Sequence, residues 1–208
     1  MTRPQSGDLN GFTLIEMLVV LCLLTIMAAL ALPALLTLWH QSKIRGISQE
    51  TTVLMRRARL EAVKSATQVV ARIVLPAGNA LGKVEAFTDS NADGLLSAGE
   101  PTLASLTLPV GIKFAAPNPG SDLLGKDSVE GFSADPAGAS LPKIAIFQRD
   151  GSIAIVGAYR FADTYGNYLE VRVTPAATAR VEVRKARLEG SNWNFYASGE
   201  GGKAWEWK

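Results

Sequence analysis

Glu16 is the residue whose chemical setting most needs an account. It lies four residues into an apolar stretch, and the 22 residues from Met17 to Leu38 carry no formal charge. A carboxylate in hydrocarbon is costly unless it is paired, protonated or able to snorkel to the headgroups. A second concentration of polar oxygens runs Asp89-Ser90-Asn91-Ala92-Asp93-Gly94-Leu95-Leu96-Ser97-Ala98-Gly99-Glu100. A third cluster is basic and comprises Arg180, Arg184, Lys185 and Arg187. Other reactive types are scarce. One histidine, His40, rules out a His-cluster metal site, and it rules out a Ser-His-Asp triad unless His40 itself serves. It sits beside Trp39 at the end of the apolar run, a polar-tipped aromatic pair of the kind found at membrane interfaces. The one cysteine, Cys22, cannot form an intrachain disulfide. With no nucleophile motif and no Gly-rich phosphate loop, no catalytic residue is expected. A net charge of +2 decides nothing about nucleic acid, because a local patch can hide in a balanced total.

The element that must hold Glu16 is an apolar helix. At 1.5 Å rise per residue, Met17 to Leu38 spans about 33 Å, close to the hydrocarbon thickness of a bilayer. The run is too long for the apolar core of a secretory signal peptide. A polar leader, Met1 to Gly11, precedes it and carries Arg3 and Asp8. Pro33 lacks a backbone donor and is expected to kink the helix. Lys43, Arg45, Arg56, Arg57 and Arg59 follow the span, whereas only Arg3 and the amino terminus precede it. Taken alone, that charge balance favours an orientation with the carboxyl-terminal side in the cytoplasm.

The string Gly11-Phe12-Thr13-Leu14-Ile15-Glu16-Met17-Leu18-Val19-Val20 resembles the prepilin processing signature of type IV pilins and pseudopilins. The signature demands a glycine, an aromatic residue, small or apolar residues and a glutamate at fixed offsets before a membrane span. The resemblance implies cleavage between Gly11 and Phe12 by a prepilin peptidase on the cytoplasmic side, then methylation of the new amino terminus at Phe12. It also implies assembly with other pilins or pseudopilins on an inner-membrane platform. Glu16 would meet a neighbouring subunit's Phe12 ammonium, since a paired buried carboxylate costs far less than an unpaired one. The specificity of the signature overrides the charge balance and places the carboxyl-terminal domain in the periplasm.

Beyond the span, apolar or small residues recur at Ile44, Ile47, Thr51, Leu54, Ala58 and Ala62, in steps of three and four, with Arg56, Arg57, Arg59 and Lys64 mostly elsewhere. This is amphipathic-helix spacing, so one helix is expected from Phe12 to about Ala66. The segment Ala58-Arg59-Leu60-Glu61-Ala62-Val63-Lys64 resembles the helix end of the GspH/FimT class of minor pseudopilins. After Ser65 the pattern turns to strands, expected at 68–75, 83–88, 102–106, 112–115, 143–148, 153–156, 168–174 and 180–184, with Gly, Pro and Asn clusters between them. The run Phe147-Gln148-Arg149-Asp150-Gly151-Ser152 reads as a hairpin around Asp-Gly. Residues 116–141, rich in Gly, Pro, Ser and Asp, read as an exposed loop. No repeat of 20–50 residues is evident.

The Asp89–Glu100 segment satisfies the twelve-residue calcium-loop pattern. Ligands would come from Asp89, Asn91, Asp93, the Leu95 carbonyl and Glu100, with Ser97 direct or through water and Gly94 at the sharp turn. Its flanks look like strands, so no EF-hand helix pair is expected. The competing reading is a β-hairpin loop using Asp, Asn and Gly for their turn geometry. The basic segment offers another alternative. FimT-like members that bind DNA during uptake are associated with a Gly-Arg-x-Arg motif here, where this chain reads Ala179-Arg180-Val181-Glu182. Glu182 would repel phosphate, and the alternation of Val181 and Val183 with Arg180, Glu182 and Arg184 fits a half-buried strand with a solvated charged face. Nucleic acid is therefore not expected as a partner of Arg180, Arg184 and Lys185. The tail from Trp193 to Lys208 carries Trp205 and Trp207 among glycines, able to dock a partner or to cover the core.

Together these readings give an α+β, pilin-like expectation: a long amino-terminal transmembrane and amphipathic helix, then an antiparallel β-sheet domain. The segments are a leader at 1–11, a membrane half at 12–38, an amphipathic half at 39–66 and a periplasmic β domain at 67–208. The expected role is a minor pseudopilin or pilin of a type II secretion pseudopilus or type IV pilus, with a DNA-binding minor pilin as alternative. No cofactor is required, and calcium is the one candidate.

Overall fold

The computed structural model describes residues 12–76, 81–117, 129–133, 136, 143–190, 192–200 and 204–207. The leader, including Gly11, lies outside the described residues. The chain divides into two compact units, 1–39 and 40–208.

A single helix of 52 residues, α1 (Leu14–Ser65), contributes to both units and contains Pro33. In the first unit every apolar side chain from Phe12 to Trp39 is exposed, and the helix is long and apolar enough to cross a membrane. Its hydroxyls are satisfied within the helix: Thr25 Oγ1 donates to the Leu21 carbonyl at 2.7 Å and Thr37 Oγ1 to the Pro33 carbonyl at 3.0 Å. A polar group in hydrocarbon needs such a partner, so these threonines fit a lipid-facing segment.

In the second unit the stripe read from spacing is buried. Ile44, Ile47, Thr51, Leu54, Ala58 and Ala62 all lie inside, joined by Ser48, Thr52 and Met55. The buried hydroxyls again turn to the helix backbone, Ser48 Oγ to the Ile44 carbonyl and Thr51 Oγ1 to the Ile47 carbonyl, both at 2.8 Å. The helix ends where Ala66 turns to φ +50°.

The strands are β1 (Gln68–Val74), β2 (Lys83–Asp89), β3 (Thr102–Thr107), β4 (Ile112–Phe114), β5 (Val129–Gly131), β6 (Ala145–Phe147), β7 (Gly157–Asp163), β8 (Tyr168–Val173), β9 (Val181–Glu189) and β10 (Asn192–Ala197). They form two antiparallel sheets, one ordered β3-β2-β1-β6 and one ordered β10-β9-β8-β7-β4, with β5 also pairing with β7. The buried helix stripe, Val69, Ala71 and Phe147 of the first sheet, and Tyr159, Phe161 and Val171 of the second form one core. The fold is therefore α+β and pilin-like: one long apolar helix followed by antiparallel sheets.

Three expectations are corrected. No strand forms at 153–156; Ile153 makes only an isolated bridge to Phe147, and the strand starts at Gly157 instead. β7 was not foreseen because it is buried on nearly every residue, so it shows no alternation, and it carries two alanines. The stretch 116–141 is not wholly loop, since Val129–Gly131 pairs with β7. That pairing depends on glycine, because a Cβ at Gly131 would fall 2.1 Å from the Val156 carbonyl oxygen and one at Gly157 2.4 Å from that of Glu130. β10 also forms inside what reads as a tail.

The Asp150-Gly151 turn forms as expected. Gln148 N–H donates to the Ser152 carbonyl and Gly151 N–H to the Gln148 carbonyl, both at 2.9 Å. Hydrogen bonds from the Ser152 hydroxyl and amide hold the Asp150 carboxyl below its usual range. Arg59 Nε donates to the Gly151 carbonyl at 2.8 Å, fastening the turn to α1.

Candidate functional site

Thr13 and Glu16 close the start of α1 on itself. The Thr13 amide donates to Glu16 Oε2 at 2.8 Å, the Thr13 hydroxyl to the same oxygen at 2.9 Å, and the Glu16 amide to Thr13 Oγ1 at 3.3 Å. This is a capping box, in which threonine and a glutamate three residues on satisfy each other's backbone donors. The Thr-x-x-Glu spacing ahead of an apolar run is the sequence signal for this cap. The carboxylate also lies at the positive end of the helix dipole. Phe12 directly precedes the cap and is 81 % exposed, as are the apolar side chains around Glu16. The site thus presents a carboxyl group and an apolar surface, both open to another molecule.

In the Asp89–Glu100 loop, the acids serve the loop's own backbone. Asp89 Oδ2 accepts from the Gly94 amide at 2.8 Å and from Gln68 Nε2 at 3.0 Å, and Asp89 Oδ1 accepts from the Asp93 amide at 3.2 Å. Asp93 Oδ1 accepts from the Leu95 amide at 2.7 Å and Asp93 Oδ2 from Asn91 Nδ2 at 2.8 Å. Glu100 takes the Ser90 and Ser97 amides at 2.8 and 2.9 Å, one on each oxygen. The loop joins β2 to β3, so the flanks are strands as read. Gly94, at φ +76°, has no room for a Cβ, which would meet Pro136 at 2.9 Å and Ile144 at 3.0 Å. The structure therefore brings Asp89, Asn91, Asp93 and Glu100 into one loop. Among the described residues, no three His, Cys, Asp or Glu side chains converge as a metal-holding group.

The basic residues of β9 are separated rather than gathered. Strand alternation puts Arg184 and Glu182 on one face and Lys185 on the other. Arg180 pairs with Glu182 at 3.1 Å and Arg184 with the same carboxylate at 3.2 Å. Lys185 is buried, its ammonium 4.5 Å from the centre of the Trp207 ring. One member of the basic cluster thus points into the domain, while Arg180 and Arg184 lie on the charged face as read.

The Arg184 face also carries an ion-pair network that the sequence did not reveal. Glu170 is fully buried and accepts from Arg160 Nε at 3.1 Å and Arg172 Nε at 2.9 Å. Glu130 on β5 pairs with both arginines, meeting Arg172 at 2.9 Å. A residue of β8 thereby holds charges from β7 while Glu130 ties β5 to the sheet.

Comparison with known proteins bears on the amino-terminal site alone. Residues 10–32 match the family model of the prokaryotic N-terminal methylation motif. No curated protein and no solved structure matches the chain. The chain therefore carries a type IV pilin-like processing and methylation motif on an apolar, membrane-compatible helix. Proteins with this motif are structural rather than enzymatic, and they assemble with other pilins after processing by a prepilin peptidase.

Proposed function

We propose that the chain is a minor pseudopilin or pilin of the GspH/FimT kind, cut between Gly11 and Phe12 and methylated at Phe12. It anchors in the inner membrane through residues 12–38, exposes its β domain to the periplasm and joins a type II secretion pseudopilus or a type IV pilus. Residues 39–66 lead the helix into that domain. The match of residues 10–32 to the methylation motif carries the reading. The capping box supports it physically. Removing the leader would leave the Phe12 ammonium one residue from the helix start, where ammonium and helix dipole both add positive charge. Glu16 offsets that charge within its own chain and can offset it for a neighbour packed alongside. Because desolvated ions must be paired, subunits out of axial register would leave one charge uncompensated.

Mass spectrometry of the chain from a host with an active prepilin peptidase tests the proposal. The expected mature species begins with N-methylated Phe12. A polypeptide that still begins at Met1, or one starting at an unmodified Phe12, refutes it.

A further inference from the structure

Three turns meet at one end of the second sheet. Ile112 at the start of β4 pairs with Asp163 at the end of β7, so the β3–β4 turn lies beside the β7–β8 turn. A Cβ on Gly111 would come 3.9 Å from the Thr164 methyl, so the two tips touch. Antiparallel pairing of β7, β8, β9 and β10 brings the β9–β10 turn to the same end. Each turn carries an exposed apolar side chain at its tip or beside it: Val110 at 73 %, Tyr165 at 46 % and Leu188 at 50 %. Scattered exposed apolar residues mean little, but a group gathered at one end of a sheet asks for a covering surface.

The turns hold these side chains outward. Ile112 N–H donates to the Pro109 carbonyl at 3.1 Å, which leaves Val110 at the corner. Buried Asp163 accepts from the Tyr165 and Asn167 amides on Oδ1, both at 2.9 Å, and from Asn167 Nδ2 on Oδ2 at 2.8 Å. Those bonds engage the Tyr165 backbone and leave its ring half exposed.

Tyr165 also fixes the depth of this end. Its ring meets the His40 ring edge to face, with centroids 4.7 Å apart. His40 stands two residues beyond Leu38, the last of the charge-free run, a rise of about 3 Å. Helical side chains lean towards the amino terminus, so the His40 ring leans back towards that run. The headgroup layer of a bilayer is about 5–7 Å thick on each side. With residues 12–38 crossing a membrane, as proposed above, His40 falls in that layer and the Tyr165 ring with it. Tyrosine suits this level, since its ring is apolar and its hydroxyl reaches water. The depth singles out lipid as the cover, because the anchor brings the bilayer to this height whether or not a neighbouring subunit is present.

We propose that this end of the β domain lies on the bilayer surface, with Tyr165 among the headgroups and Val110 and Leu188 at the border of the acyl chains. The proposal rests on the membrane reading of residues 12–38. The contact gives the unassembled domain a fixed posture on the membrane.

The test uses the full chain with Cys22→Ala, reconstituted in phosphatidylcholine–phosphatidylglycerol vesicles and checked for resistance to carbonate extraction. An NBD fluorophore is attached through Val110→Cys, through Leu188→Cys or, as reference, through Thr178→Cys in the exposed connection between β8 and β9 at the opposite end of the sheet. Lipid carrying a headgroup nitroxide should quench the label at the Val110 and Leu188 positions several-fold more than at the Thr178 position. Tyr165→Ser leaves the backbone bonds to Asp163 in place and should lower quenching at the Leu188 position. Quenching no stronger than at the reference, in a carbonate-resistant chain, overturns the proposal and leaves the membrane anchor standing. Release by carbonate overturns both. A blue-shifted label at the Val110 position that escapes lipid quenching, and reverts when the chain is diluted in lipid, overturns the proposal in favour of a second copy.

Discussion

The Tyr159 hydroxyl donates to the Ala71 carbonyl at 2.7 Å, joining the two sheets through a buried hydrogen bond between residues 88 positions apart. The Tyr159 ring is fully buried and packs on Phe132 with centroids 4.9 Å apart. Tyr159→Phe keeps that packing and deletes only the hydroxyl. The expected loss is about 1–2 kcal/mol, the cost of leaving a buried acceptor short of a partner. Tyr159→Ala should cost about 3–5 kcal/mol, because a cavity is added. Urea unfolding of both variants in one detergent measures the difference, and equal losses would contradict the assignment.

Glu170 is the fulcrum of the charged face of the second sheet. Removing its carboxylate takes from Arg160 and Arg172, at 14 % and 20 % side-chain exposure, the buried carboxylate they share, while Glu130 still pairs with both. Glu170→Ala should destabilise by about 3 kcal/mol, near the lower end for a broken buried pair because Glu130 remains. Glu130→Ala, at a carboxylate 47 % exposed, should cost under about 1 kcal/mol. Denaturation midpoints of the two single variants, read side by side, check the ranking.

Acid should weaken the first sheet through Glu85. Burial works to raise its carboxyl pKa, but hydrogen bonds from Lys83 and Arg72 and their charges outweigh burial and hold it below the ordinary value of 4.5. The unfolded chain therefore takes up this proton first as pH falls. The stabilisation is present above the unfolded-state pKa and is lost as pH drops through the lower folded-state value. The Arg72 guanidinium meets Glu85 at 2.7 Å, so Arg72→Met should flatten the acid side of the stability curve. Unfolding midpoints collected from pH 7 to pH 3 for both proteins provide the measurement.

At the amino terminus, capping and charge can be separated. Gln serves at the third helical position of a capping box, so Glu16→Gln keeps the cap and removes the charge. Glu16→Ala removes both. If charge pairing governs assembly, both variants insert in the membrane and neither enters filaments. Sedimentation of sheared filaments, with a membrane-fraction blot as control, reads the outcome. Incorporation of the Gln variant at the normal level would assign Glu16 to capping alone.

The Asp89–Glu100 loop is expected to behave as a self-capped turn. Asp93→Ala removes the acceptors for the Leu95 amide and Asn91 Nδ2, and should lower stability by about 1 kcal/mol. The loss should be the same with and without millimolar calcium. Calorimetric heat on adding calcium to the parent chain, absent in Asp93→Ala, would instead support the metal reading and its ligands Asp89, Asn91, Asp93, Leu95 and Glu100.

Local periodicity was enough to read α1, its buried stripe from Ile44 to Ala62 and the turn at Asp150-Gly151, because helix facing and tight turns depend on residues a few positions apart. The Thr13–Glu16 cap belongs to the same local class and was readable from its spacing. Seven of the eight expected strands also form, as β1, β2, β3, β4, β6, β8 and β9, whereas β5, β7 and β10 were not legible. β7 is buried along most of its length, so alternation could not mark it, and β5 exists only because Gly131 and Gly157 let two backbones approach. The fate of charged residues was also decided in three dimensions. Lys185 and Arg184 are neighbours in sequence, yet the pleat sends one beneath Trp207 and the other to Glu182. Which face of a strand becomes interior depends on what distant segments pack against it, and here those were α1 and the Trp205–Trp207 segment.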